Sequence, residues 1–332
     1  MNINLTEAQN DYARFLPALS GFYATYVGKQ RYDNYVDPAR VPSNLTHGVE
    51  SLNYLNAKEG QFSYKWSLYS AGHADLDTTK HVPKEDMVRN RDRENTWLLG
   101  DSGGFQIGKG VWEGDWKDPN CPKAQKKRDG VLRWMDAYMD YGMILDIPAW
   151  VARSPAGQKA TGISTYQEAV DATRINNDYF MKHRTGACKF LNVLQGNNEQ
   201  QADQWYDAVK HYPFEGWAMA GYNMKQLHLA LRRLIVMRDE KMLDPGRDLI
   251  HYLGTSKLNW SCIFTAIQRN LRETVNENMM VTYDAASPFI TTAKGQAYTQ
   301  HVHRNSKFSY VMEQAVDDKR FQHSEIPFPF NS

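Results

Sequence analysis

From residue 97 onward the chain alternates short apolar runs with longer amphipathic stretches. The runs are WLLGDSG, GMILDIPA, FLNVLQG, GWAMAGY, LIHYLGT and MMVTYDA. Each has the length of a strand and is almost continuously apolar, the pattern of a strand buried on both faces. Between them, apolar residues recur at helical spacing. The first such face carries Val131, Leu132, Trp134, Met135, Tyr138 and Met139, and the second Tyr166, Ala169, Val170, Thr173, Phe180 and Met181. Ala202, Trp205, Tyr206 and Val209 make a third, and Leu227, Ala230, Leu231, Leu234 and Ile235 a fourth. Trp260, Ile263, Phe264, Ile267 and Leu271 make a fifth. Strand, crossover helix, strand in steady succession predicts parallel strands joined by right-handed connections. An α/β barrel of eight units and an open doubly wound sheet both satisfy this rhythm. The barrel needs two more strands before residue 97. FSYKWSLYS (62–70) alternates as a half-buried strand does, and GFYATYV (21–27) is a second, weaker candidate.

The bulk numbers narrow the class. The 332 residues are 23% charged with a net charge of +1, which speaks against disorder and against any strong overall field. A nucleic-acid partner would have to be held by local basic runs. VRNRDR supplies Arg89, Arg91 and Arg93, and KAQKKR supplies Lys123, Lys126, Lys127 and Arg128. Taken singly, either run reads first as a solvated face. Cys121, Cys188 and Cys262 are dispersed and odd in number, so neither a disulfide framework nor a zinc finger is expected. The opening MNINLTEAQNDYARF lacks a basic and apolar leader pattern, and no apolar run approaches the ~20 residues that cross a bilayer. A cytoplasmic location without membrane contact is expected. GDWKDPNCPK (114–123) reads as a surface loop and HSEIPFPFNS as a proline-marked tail.

The residues at the carboxyl ends of the six runs are Asp101, Asp146, Gln195, Gly221, Thr255 and Asp284. In a parallel α/β barrel that rim carries the active site. A carboxylate after a strand is also a common helix cap, so the argument lies in the convergence, not in any one residue. Asp146 and Gln195 together suit guanine. A carboxylate accepts the N1–H and N2 amine of its Watson–Crick edge, and an amide N–H of Gln195, or a backbone N–H near Gly221, donates to O6. Gly221 allows close backbone approach to a flat ligand. Phe105 is either a stacking platform for the base or a core aromatic. Asp101 and Asp284 are left without a recognition duty. Two acids at one glycosidic bond suit retaining chemistry, one attacking the anomeric carbon and the other moving the proton.

DSGGFQ, ILDIP, NVLQG, AGY, HYLGTS and TYDAASP, in that order, resemble the motif set of the tRNA-guanine transglycosylase superfamily. The resemblance spans about residues 97–290, and DSGGFQ is its most specific part. It implies a (β/α)8 TIM barrel with insertions, one catalytic domain over 1–332, with elaborations at 1–96 and 291–332. It implies exchange of guanine for a 7-deazaguanine base through a covalent ribosyl-aspartate, with no cofactor. By motif, Asp284 resembles the nucleophile and Asp101 the general acid/base. Phe105, Asp146, Gln195, Gly196, Gly221 and Tyr222 resemble the base-binding set, and Lys123, Lys126, Lys127 and Arg128 are the phosphate-binding candidates. Most of the tRNA enzymes carry a C-x-C-x-x-C cluster and a histidine as a zinc site. Here no cysteine follows Cys262, so that site cannot form, and the surface pair His301 and His303 does not replace it. No metal is expected. The compact, zinc-less chain is most similar to the short 7-deazaguanine DNA transglycosylases of phages and bacteria. That likeness implies DNA as the partner, with a base such as preQ0 entering and guanine leaving; tRNA is the alternative polymer. A non-catalytic nucleic-acid-binding paralogue and a sugar-directed retaining glycosidase are further alternatives, and a homodimer is the assembly such families often adopt.

Overall fold

The computed structural model describes residues 10–33, 37, 39, 41–305 and 307–314. At its centre lie eight parallel strands. They are β1 (Arg14–Pro17), β2 (Trp66–Ser70), β3 (Trp97–Asp101), β4 (Tyr141–Met143), β5 (Lys189–Leu194), β6 (Gly216–Met219), β7 (Leu249–Tyr252) and β8 (Met280–Ala285). They pair in the order β1-β8-β7-β6-β5-β4-β3-β2. Along the seam between the two end strands, Ala18 bridges Leu68 in parallel, and Leu19 N–H donates to the Leu68 carbonyl at 2.9 Å. The sheet therefore curls into a nearly closed (β/α)8 barrel, and the open doubly wound alternative is set aside. Every residue of β4, β6 and β7 is buried, because one face fills the barrel and the other meets the surrounding helices.

The helices are α1 (Gly21–Asp33), α2 (Asp86–Arg89), α3 (Gly104–Gly108), α4 (Pro122–Tyr138), α5 (Pro155–Thr161), α6 (Tyr166–His183), α7 (Glu199–Val209), α8 (Leu227–Asp239), α9 (Leu258–Thr274) and α10 (Ser287–Ala293). The five periodic faces expected from sequence fall on α4, α6, α7, α8 and α9, and Trp134, Phe180, Trp205, Leu234 and Phe264 are their buried anchors. The start of α6 shows how the chain marks a boundary. The Thr165 side chain accepts the Glu168 N–H while the Glu168 carboxylate returns to the Thr165 N–H, which satisfies two donors that a helix start leaves open.

Two expectations ahead of residue 97 are corrected. Residues 21–27 are not a strand but the first two turns of α1. The Ser20 hydroxyl accepts the Tyr23 N–H at 3.1 Å and its carbonyl accepts the Ala24 N–H at 3.0 Å, so the chain turns helical just past the barrel. The first barrel strand is instead the four-residue RFLP of β1, too short for periodicity to reveal. The 62–70 run is a strand only from Trp66, and it is not half-buried, since Trp66 to Tyr69 are all buried. The barrel thus begins at Arg14, and the first 96 residues hold two of its strands, where the resemblance alone marked them as an elaboration. Beyond the barrel, β9 (Gln296–Arg304) and β10 (Lys307–Gln314) form an antiparallel hairpin, and His301 and His303 lie on it. The 323–332 tail lies outside the described residues. Among the described residues no helix is long and apolar enough to cross a membrane.

The 114–123 segment has no helix or strand before Pro122, as expected, yet it is not wholly a surface feature. Trp116 is 0% exposed, and its indole N–H donates to the Trp112 carbonyl at 3.3 Å. Removing so large a buried ring leaves a cavity that the loop cannot refill. Trp116→Ala should lower the unfolding free energy by about 3–5 kcal/mol in denaturant titration, whereas a true surface loop would tolerate the change.

Candidate active site

The barrel carries the strand ends to one rim, and the sequence-predicted acids meet there. Asp101 ends β3 and Asp284 lies one residue before the end of β8. Both line one cleft of about 1300 Å3 at the carboxyl mouth, together with Ser70, His73, Phe105, Gln106 and Gly254. Phe105 is 59% exposed at the cleft and faces Trp150 with ring centroids 6.1 Å apart, so the core-aromatic reading is set aside.

The DSGG turn explains why an apolar strand ends on a carboxylate beside two glycines. Gly103 has φ +84°, a left-handed conformation that costs a side-chain-bearing residue energy. At Gly104 a Cβ would lie 2.8 Å from the Asp146 carbonyl oxygen and 3.2 Å from its Oδ1. Glycine therefore lets the β3 end press against the segment that follows β4, and so brings Asp101 beside Asp146. The register of β2 and β3 places Ser70 opposite Asp101, and the Ser70 hydroxyl donates to Asp101 Oδ2.

Asp146 is 6% exposed and accepts a hydrogen bond from Gln195 Nε2 at 2.8 Å. The two groups expected to read a base therefore lie together, with the Gln195 amide bonded to the Asp146 acid. Gly221 has φ +57°, and a Cβ there would lie 2.7 Å from the Gly196 carbonyl and 2.9 Å from Gln195 Oε1. Gly221 brings the end of β6 directly against Gln195. The Gly196 carbonyl accepts the Tyr222 N–H at 2.9 Å, so both residues build the turn that carries Gln195. The Tyr222 ring is partnered by Lys225 Nζ at 4.9 Å. The cleft lining includes Asp101, Phe105 and Asp284 of the predicted set. Asp146, Gln195 and Gly221 are not part of that lining; Asp146 packs against Gly104 of the DSGG turn, Gln195 is bonded to Asp146, and Gly221 abuts Gln195.

Electrostatics separates the acids. Burial pushes the Asp101 carboxyl above its usual range, and the charge of Asp284 adds to the rise, while the Ser70 hydroxyl, the Gly103 N–H and His73 pull it back. Burial also raises Asp146, to about 7, with the Gln195 hydrogen bond opposing and the charge of Asp101 reinforcing. Asp284 is placed differently. Its Oδ1 accepts the Gly254 N–H at 2.8 Å and faces His251 Nε2 at 3.2 Å. Sequence reasoning missed Ser70, His73, His251 and Gly254. Ser70 and His251 were detectable only through strand register, which the sequence alone does not provide.

The basic runs divide. Arg128 is 1% exposed, and its Nε donates to Asn176 Oδ1 at 2.6 Å, so it braces α4 on α6 and is withdrawn as a phosphate contact. Lys123 and Lys126 are exposed on the first turns of α4, Lys123 lies 3.7 Å from Glu113, and Lys127 covers the Trp112 ring at 4.9 Å. Arg91 is buried and bridges to Asp140 at 2.8 Å, while the same carboxylate accepts the Leu98 N–H at the start of β3. That places VRNRDR at the amino end of the barrel, opposite the cleft, where it is structural. Among the described residues no group of three or more His, Cys, Asp or Glu side chains is arranged to hold a metal ion.

No protein-family model matches the chain, and no curated protein matches it.

The raised Asp146 has a consequence for stability. Its carboxyl moves from 3.8 to about 7 on folding, so between those values the folded chain holds a proton that the unfolded chain has released. Stability contributed by this residue is therefore lost as pH rises through that window. Asp146→Asn removes the effect. Its advantage over the parent chain should grow by roughly 2–3 kcal/mol between about pH 5 and pH 8, measured by denaturant unfolding. A constant difference across that range would show that Asp146 is not buried against its charge.

Proposed function

We propose that the protein is a base-exchange transglycosylase that replaces guanine in DNA with a 7-deazaguanine base such as preQ0. The observation that carries this reading is the shared cleft. Asp101 and Asp284 reach one cavity from β3 and β8, and a guanine-complementary pair, Asp146 and Gln195, stands against the same turn. The ordered motifs and the barrel support the same reading.

The chemistry follows from the two environments. The target nucleotide is extruded, because its glycosidic bond is inaccessible in the stack. Phe105 stacks on the base. Asp146 accepts from N1–H and the N2 amine, donors that favour its ionised form, so that it releases its proton to solvent as the base binds. Asp284 forms a bond to C1′ as the C1′–N9 bond breaks, and the bonding electron pair leaves with the base. Asp101, whose carboxyl burial pushes above its usual range, supplies the proton that makes the departing guanine neutral. The deazaguanine then enters. Its N9 attacks C1′ and gives its proton to Asp101, and Asp284 departs as a carboxylate. Two displacements at one carbon retain configuration. Lys123, Lys126 and Lys127 on the rim, with Lys84 in the cleft, are the groups offered to phosphate.

DNA is preferred to tRNA because the chain lacks the cysteine cluster typical of most tRNA enzymes. Incubation of the purified protein with labelled guanine and either polymer tests both points. Label should enter DNA and not tRNA, and Asp284→Ala should reduce incorporation by more than about a thousandfold, as loss of a covalent nucleophile does. Incorporation into tRNA alone would favour the other polymer, and undiminished exchange by Asp284→Ala would refute the nucleophile.

A further inference from the structure

Among the described residues, the proposed nucleophile Asp284 is held on one oxygen. Strands β7 and β8 run in register with His251 opposite Thr282. Thr282 and Asp284 are two residues apart on β8 and so share its inward face. His251 is fully buried between them, with Nδ1 2.8 Å from Thr282 Oγ1 and Nε2 3.2 Å from Asp284 Oδ1. An ionised carboxylate only accepts hydrogen bonds, so Nε2 must carry the hydrogen. In a neutral imidazole Nδ1 is then bare, and the Thr282 hydroxyl donates to it; in an imidazolium the hydroxyl accepts instead. Either way the N–H at Nε2 is aimed at Oδ1. The Gly254 N–H donates to the same oxygen at 2.8 Å. Among the described residues none donates to Oδ2.

We infer that His251, set by Thr282, is a positioning residue that occupies Asp284 Oδ1 and thereby reserves Oδ2 for the sugar. This deepens the transglycosylase reading and rests on it. Oδ2 bonds to C1′ while the C1′–N9 electron pair leaves with guanine, which takes its proton from Asp101. Oδ1 is then the carbonyl oxygen of the ester, still facing two N–H donors. In the return step N9 of the incoming base attacks C1′ and passes its proton to Asp101, and the C1′–Oδ2 electron pair returns to the carboxylate. Hydrogen bonds to Oδ1 strengthen as the ester becomes a carboxylate, so His251 acts mainly on the departure of Asp284.

The test follows formation and decay of the protein–DNA adduct by denaturing quench, with the full chain, labelled DNA and preQ0. In His251→Phe, adduct decay should slow by about ten- to a hundredfold, the loss expected for one oriented donor. The KM for the incoming base should change by less than about threefold. His251→Gln, whose amide can present an N–H to the same oxygen, should recover most of the rate, and Thr282→Val should fall between. Decay at the parent rate in His251→Phe, or equal loss in the Phe and Gln variants, overturns the inference. Nitrogen-15 NMR of the parent chain reads the same geometry without activity and covers a Phe variant that fails to fold: a protonated Nε2 supports the arrangement, and a bare Nε2 overturns it. A parent chain with neither exchange nor adduct overturns the transglycosylase reading itself, whereas normal parent exchange with an unaffected His251→Phe overturns only the positioning role.

Discussion

Three carboxylates gathered at one barrel mouth, Asp146 and Asp284 buried and Asp101 half-buried, are the constraint around which this structure is arranged. Parallel strands deliver all their carboxyl ends to one rim, so Asp101, Asp146 and Asp284 are brought together by topology and not by local sequence. Removing carboxylates from water is costly unless each finds compensation. Each of the three is compensated differently. Asp101 has a single hydroxyl from Ser70 and the Gly103 N–H, and remains raised. Asp146 has the Gln195 amide and is raised to about 7. Asp284 has a backbone N–H and a buried histidine. Neighbouring acids in different surroundings are what separate acid–base and nucleophilic roles require.

Much of this was legible in the sequence, for physical reasons. Strands buried on both faces read as continuous apolar runs, and helices packed on one face read at helical period, so β3 to β8 and the five crossover helices could be placed from pattern alone. The positions of Asp101 and Asp284 at strand ends followed, while Gln195 lies one residue and Asp146 three residues beyond their strands. The pattern failed where elements are short or locally capped. Four residues of β1 cannot display a period, and the GFYATYV run was drawn into a helix by the Ser20 cap. Charge runs misled as well. Arg128 and Arg91 lie within basic runs but are buried in hydrogen-bonded or ionic contacts, which composition does not reveal. His251 was hidden because its role depends on which residue of β8 stands opposite it.

The cleft is also larger than one base needs. At about 1300 Å3 it exceeds the usual span of small-molecule pockets, ~300–1000 Å3. It extends from the two aspartates past His73 and Lys84 to the exposed Phe22 on α1. Under the proposed exchange, such a shape suits a polymer with an extruded nucleotide better than a free nucleoside. With a net charge of only +1, the proposed polymer binding would rest on these local groups and not on a field over the whole molecule.

The central claim is that Asp284 bonds to the sugar while Asp101 handles the proton. Mass spectrometric peptide mapping of the protein, quenched in denaturant during turnover with DNA and digested to nucleotides and peptides, addresses it most directly. The account predicts a deoxyribose-containing mass addition on the peptide that carries Asp284. The same addition on any other residue, or its absence while exchange proceeds, would contradict it.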